Sequence, residues 1–350
     1  MDKRMLAMAI GLVVALTVHR ADAGPVLDAV KARGQLVCGV STGAAGFMQA
    51  DRQGKWTGFA VDICRAVSAA IFGDTNKVKY VPLEAVQRFP ALQAGDVDLL
   101  ASNSTYTLAR DAGLGVDFTG IYFYDGQGFL VKKAGAKNVK DLNRAIICFQ
   151  PGTTTESNLA DYFRANKMRF TPLTPDRADE ARAAFLAGRC DVLTADISAL
   201  HEILTSNPQY AKDYTILRHA ISKEPFSPAM RYGDNQFADI VRWTQFATIE
   251  AEEYGITSKN VDEMLKSNDP AVKRILGVAP GMGKALGVDE KWVYNVVSQV
   301  GNYGESYDRN LGDGSALKIP RSLNALWTKA GILYAPPIAD RWNRPQNQRI

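Results

Sequence analysis

The sequence predicts an α/β chain of two similar lobes, each an open sheet flanked by helices, with two crossings between them and a helical C-terminal extension. Three observations predict it. Residues 92–103 read Leu-Gln-Ala-Gly-Asp-Val-Asp-Leu-Leu-Ala-Ser-Asn, and residues 185–196 read Phe-Leu-Ala-Gly-Arg-Cys-Asp-Val-Leu-Thr-Ala-Asp. Each is the end of an apolar-periodic helix, a glycine stop and a short buried strand that ends on a polar side chain. The other parts of the unit repeat as well. Leu36-Val-Cys38-Gly-Val precedes a loop of small residues, and Ile146-Ile-Cys148-Phe-Gln precedes Gly152-Thr-Thr-Thr-Glu156. Finally, 350 residues with 46% hydrophobic and 22% charged side chains make an ordinary globular composition with room for two domains.

The elements follow in chain order. Lys3 and Arg4 precede the apolar run Met5 to Val18, and Ala21-Asp-Ala23 supplies a small-x-small cleavage site, so residues 1–23 read as a signal peptide cleaved after Ala23. The run is short for a bilayer span, and the mature chain is expected in the periplasm. A strand at 36–40 leads through a turn at 51–54 to a helix at about 60–72, then a strand at 78–82 and a helix at 86–94. Thr107 is placed to cap a turn that contains Arg110, and the chain crosses near Gly126-Gln127. The pattern then repeats: a strand at 145–149, a helix at 155–166 capped by Thr153 to Glu156, a strand near 168–173, a helix at 176–187 and a strand at 191–195. The chain crosses back near Ser222 to Met230. Helices are expected near 235–254, 258–266, 270–276, 289–301 and 321–330, packed on the first lobe. The first lobe thus takes residues 24–126 and 226–350, and the second takes 127–225.

Residues 1–23 carry three basic and two acidic residues, so the remainder keeps a net charge of about +3, too small and dispersed to suggest nucleic acid. In an oxidising compartment Cys38, Cys64, Cys148 and Cys190 point to disulfides, with three possible connectivities. Pairing Cys38 with Cys64 and Cys148 with Cys190 would keep one bridge per lobe and leave the lobes free to move. No metal site is expected, because no cysteine pair has zinc spacing and only His201 and His219 remain after the leader. Gly281-Met-Gly283-Lys284 suggests a phosphate loop, but the first glycine of that spacing falls on Val278 and Ala285 replaces the hydroxyl residue.

Open parallel sheets bind ligands at the carboxyl ends of their strands, and two such lobes can close on a small molecule. If the repeat aligns them, Asn103 and Asp196 face each other across a cleft, with Thr105, Arg110, Thr153 and Thr154 around them. Arg110 can hold a carboxylate by paired hydrogen bonds, the helix N-terminus near Thr154 favours the same negative group, and Asp196 suits an ammonium. Together they describe the α-carboxylate and α-ammonium of an amino acid.

At these residues the chain resembles the polar amino-acid-binding proteins of bacterial ABC importers, solute-binding family 3, which includes histidine-, glutamine- and lysine/arginine/ornithine-binding proteins. The resemblance runs from about residue 28 to 250, through Trp56-Thr-Gly-Phe-Ala-Val-Asp62, Leu92 to Asp98, Thr105 to Arg110 with Phe118, Gly126-Gln127, Gly152-Thr-Thr and Gly188 to Asp196. The cysteine placement and the tail, with Gly301-Asn-Tyr-Gly-Glu305 and Leu323-Asn-Ala-Leu-Trp327, look like the longer general L-amino-acid-binding subgroup. The resemblance implies a two-lobed type II periplasmic binding fold without a cofactor. It implies a monomer that closes over an L-amino acid and docks on the permease subunits of an ABC importer. It assigns the ligand carboxylate to Arg110 and Thr154, and the ammonium to Asp196 with Asn103 or Thr105. Many relatives place an acid at Ser41 and an aromatic ring shortly before the position of Phe47, to grip the ligand's side chain. Here Ser41 carries no charge and Ala44-Ala-Gly46 no ring, which fits a roomy pocket and broad specificity. The rival reading is an exported enzyme on the same fold, such as a cyclohexadienyl dehydratase-like protein, but the cleft motifs hold no histidine and no activated nucleophile. Glu305 as a transglycosylase acid ranks lower, because the rest of that motif is missing.

Overall fold

The computed structural model describes residues 24–338, so the expected leader lies outside the described residues. Two five-stranded sheets organise them. Across its width the first runs Val78–Pro82, Leu36–Val40, Leu99–Leu100, Ala229–Arg231, Val116–Phe118. The second runs Thr171–Leu173, Ile146–Cys148, Val192–Asp196, Gln127–Lys132, Tyr214–Ile216. In each, the first three strands are parallel and the fourth lies antiparallel to both its neighbours. The repeated motif in the sequence is therefore a repeated topology. Gly95 and Gly188, which stop the helices before the third strand of each lobe, have φ of +85° and +71°, a left-handed conformation that glycine adopts without steric cost.

The fourth strand of each sheet escaped the sequence reading. It is supplied in both lobes by chain that has just crossed from the other lobe, so local pattern does not announce it. Gln127–Lys132 is buried at every residue except its last, and a strand covered on both faces shows no alternation. The crossings themselves pair: Phe123–Asp125 lies antiparallel to Glu224–Phe226, making a two-stranded ribbon between the sheets.

The extension packs on the helices of the first sheet. Helix Phe59–Phe72 lies against Trp292–Val300 and Asn235–Glu253, and its buried Asp62 accepts hydrogen bonds from Ser306 (2.7 Å), Arg309 and Asn310 (2.8 Å) of helix Tyr303–Asn310. The continuous helix expected at 321–330 is not formed. Two short 3-10 turns, Ser322–Asn324 and Trp327–Lys329, stand there, because Asn324 turns aside to bond both main-chain atoms of Tyr124 in the crossing ribbon. The extension thus grips the hinge itself. The short helix Pro25–Arg33 was also unforeseen; the Asp234 carboxylate accepts from Val26 and Leu27 at its start and from Phe237 at the start of helix Asn235–Glu253. The phosphate-loop lookalike is not a turn but the start of a short helix, Met282–Leu286, where the Gly281, Gly283 and Lys284 amides all donate to the chain's own Glu290. Glu305 is occupied likewise, closing a capping box with Asn302.

All four cysteines are bonded, Cys38 to Cys64 and Cys148 to Cys190, one bridge inside each lobe. One buried charge weakens the first lobe. Glu250 is 2% exposed, its Oε1 has no hydrogen-bond partner among the described residues, and burial together with Glu253 pushes its carboxyl up to about 8. The folded chain therefore keeps a proton that the unfolded chain releases above about 4.5. That contribution to stability is complete below the unfolded value and falls by up to about 1.4 kcal/mol per pH unit until the folded value is passed. Glu250→Gln should raise the melting temperature at pH 8–9 and leave it nearly unchanged at pH 4–5, as read by calorimetry across that range.

Candidate functional site

A cavity of about 190 Å³ lies between the lobes, below the roughly 300–1,000 Å³ of sites that take drug-sized ligands. Seven of the eight sequence-predicted residues line it: Ser41, Phe47, Asn103, Thr105, Thr153, Thr154 and Asp196. The lobes meet around it. Arg177 of the second lobe reaches Glu84 of the first at 3.4 Å, and the His201 ring bonds the Leu317 carbonyl at 3.0 Å.

Each wall residue has a local cause for its position. Asp196 ends its strand and stands at the N-cap of helix Ile197–Ser206, yet its side chain makes no capping bond. Asp125 from the first crossing takes the cap instead, accepting from the Ser198 amide at 3.2 Å. This frees the Asp196 carboxylate for the cavity, and no described residue lies within hydrogen-bond distance of it. Burial, with Asp125 and Glu224 nearby, holds its carboxyl well above the usual range, against the pull of Arg88 and Arg110. Asp125 is raised to about 6 by burial, opposed by its bonds to Ser198 and Gly126. An uncompensated buried carboxylate is costly, and a cation brought by a ligand would relieve it.

The opposite wall is cationic. Arg110 starts in a helix, Leu108–Leu114, whose N-cap Thr107 accepts from the Arg110 amide at 3.2 Å, as the sequence predicted. Its side chain is not part of the cavity wall. It packs behind Thr105, donating to the Thr105 carbonyl at 3.0 Å with its guanidinium 5.2 Å from the Phe89 ring centre. The cation in the wall is Arg88, which the sequence reading missed. It is 6% exposed, donates to the Ser102 carbonyl at 3.2 Å, and has a buried Nε without a partner among the described residues. Burial, then Arg110, push it down to about 9, so it stays charged at neutral pH. A signal existed: Arg88 shares a helix face with the apolar Leu92, an expensive place for a charge unless something meets it.

The remaining residues are tied into the frame. Asn103 has φ +49°, and its Oδ1 accepts from the Tyr122 hydroxyl at 2.8 Å. Ser41 donates to the Ser102 carbonyl at 3.2 Å. Phe47 is 3% exposed and stands edge-on to Phe123 of the ribbon, 5.0 Å between ring centres, so it serves the core as well as the cavity floor. Thr153 occupies the N-cap position of helix Thr154–Ala165 in extended backbone, but its side chain makes no cap bond because the hydroxyl donates to the Gln150 carbonyl. The backbone amides at this helix start lack a side-chain cap, which leaves an anion-binding terminus at the cavity wall.

Comparison with known proteins agrees with this geometry. Residues 36–276 match the bacterial extracellular solute-binding proteins, family 3. The chain is 49% identical over 343 residues to the general L-amino acid-binding periplasmic protein AapJ of Rhizobium johnstonii, covering 97% of this chain and all of that one. It is 46% identical over 326 residues to the glutamate/glutamine/aspartate/asparagine-binding protein BztA of Rhodobacter capsulatus, covering 93% and 96%. Among solved structures, a periplasmic binding protein of an ABC transporter from Brucella ovis, with glutathione bound, superposes with a TM-score of 0.86 at 51% identity, covering 89% of this chain and 99% of that one. The two lobes, the paired crossings and these matches agree: the chain belongs to the family 3 bacterial extracellular solute-binding proteins and has their two-lobed type II fold.

Proposed function

We propose that this protein is the periplasmic receptor of an ABC amino-acid importer, closing its lobes over an L-amino acid and presenting it to the membrane permease. The observation that carries the reading is the Asp196 carboxylate, which faces the cavity with no donor among the described residues and two arginines beyond it. A zwitterion answers both needs. Its ammonium neutralises Asp196, and its carboxylate meets the amides at the start of helix Thr154–Ala165, with the charge of Arg110 acting on it from behind Thr105. Burying both charges is tolerable only when each is met. Arg88 then stands free to read the ligand's side chain, favouring an acidic or amide group, as in the printed ligands of the Rhodobacter relative.

A second reading takes a γ-glutamyl peptide as ligand, favoured by the glutathione in the Brucella structure. Its γ-glutamyl end carries the same free ammonium and carboxylate. Both readings describe a binding protein rather than an enzyme. The test is a thermal-shift screen of protein unfolded and refolded to strip bound ligand, against the L-amino acids, dicarboxylates, glutathione and prephenate. A ligand present at 100 times its Kd stabilises the folded state by about 2.7 kcal/mol. Shifts with L-glutamate and L-glutamine are expected; a shift with glutathione alone would establish the γ-glutamyl reading, consumption of prephenate the dehydratase alternative, and silence from every amino acid and from glutathione would refute the receptor.

A further inference from the structure

Glu224 lies on the returning crossing, outside every element that the repeat defines, and is 1% exposed. Its Oε2 accepts from Thr105 at 2.5 Å and from Thr154 at 2.8 Å; its Oε1 accepts from Asn158 at 2.7 Å and from Ser222. Thr105 belongs to the first lobe, Thr154 and Asn158 to the second, and Ser222 to the crossing itself. One carboxylate therefore joins all three moving parts. The Arg177–Glu84 pair at the cleft mouth is half-exposed and worth little, whereas these bonds are buried and charge-assisted.

The arrangement also fixes where protons are. An ionised carboxylate only accepts, and a threonine hydroxyl has one proton to give. With both protons directed at Glu224, the Thr105 and Thr154 oxygens, 3.3 Å apart, offer the cavity lone pairs alone. Lone pairs repel a ligand carboxylate and accept from an ammonium.

We propose that Glu224 is a positioning residue that latches the closed lobes and holds the Thr105 and Thr154 hydroxyls as ammonium acceptors beside Asp196. The second half rests on the amino-acid reading above; the latch does not. It also revises the role of Thr154, whose backbone amide, not its hydroxyl, serves the carboxylate.

The experiment compares wild type, Glu224→Gln and Glu224→Asp. Glutamine keeps the shape but removes the charge and one of the two accepting oxygens, so the two threonine protons are no longer held away from the cavity by a charged acceptor. Aspartate keeps the charge and is the rescue. Calorimetric titrations use L-glutamate and glutarate, which differ only in the α-ammonium, and small-angle scattering of the ligand-free proteins reads compactness. In Glu224→Gln the preference for L-glutamate over glutarate should shrink about tenfold or more, the scale of a hydrogen bond to a charged group, and the radius of gyration should rise. Glu224→Asp should restore much of both. Equal losses for the two ligands with an unchanged preference would overturn the ammonium role, and a variant as compact as wild type would overturn the latch. If wild type bound neither probe, the ammonium role would fall with the amino-acid reading, while scattering would still decide the latch.

Discussion

Asp196→Ala should weaken L-amino-acid binding by at least about 30-fold, while the ligand-free protein melts at the same temperature or higher. Removing one partner of a buried charge pair costs roughly 2–5 kcal/mol, and each 1.4 kcal/mol is tenfold in affinity. The stability effect has the opposite sign because the free carboxylate is itself a burden. Its carboxyl is held up by burial, Asp125 and Glu224, so the folded state gains from protonating it and loses as pH rises. Alanine removes that loss at neutral pH. A purely structural aspartate would lose stability and affinity together, so titration calorimetry beside a thermal melt separates the two. Arg110→Ala should weaken every amino acid alike, since the α-carboxylate is common to all.

Replacing both Cys148 and Cys190 by serine should lower stability by about 4 kcal/mol. Their bridge closes a loop with a sequence separation of 42, against 26 for Cys38–Cys64, where the same entropy argument gives about 3.5 kcal/mol. For a chain of this size the drop in melting temperature is on the order of 10 °C. Scanning calorimetry of the double variant checks it. Because each bridge lies within one lobe, ligand affinity measured well below the melting temperature should survive; a loss there would mean that the bridge shapes the cleft.

Much of the fold was legible because it repeats. Helix periodicity, the stops at Gly95 and Gly188 and the strands after them are local signals, and the second copy confirmed the first. What was not legible is non-local. The antiparallel strands Gln127–Lys132 and Ala229–Arg231 take their places from partners far along the chain, and the bend at 321–330 is imposed by Tyr124, two hundred residues away. The site divides in the same way. Asn103, Thr105, Thr154 and Asp196 mark strand ends or a helix start and could be found by position. Arg88 sits in a short helix, where a charge among apolar neighbours is the only trace, and Glu224 sits in a crossing beside Lys223, where nothing sets it apart from a surface acid.

The double crossing of the chain sets an order of assembly. The second sheet draws all its strands from residues 127–216, so its chain is complete when that stretch has emerged. The first sheet cannot close until Ala229–Arg231 arrives, and its covering helices Asn235–Glu253 and Trp292–Val300 come later still. Although it is first in sequence, the first lobe must finish last, around a second lobe already folded and bridged. Until then its strand edges stay open, which makes Leu99–Leu100 and Val116–Phe118, the strands on either side of the missing one, the segments most exposed to wrong pairing while the chain is being made.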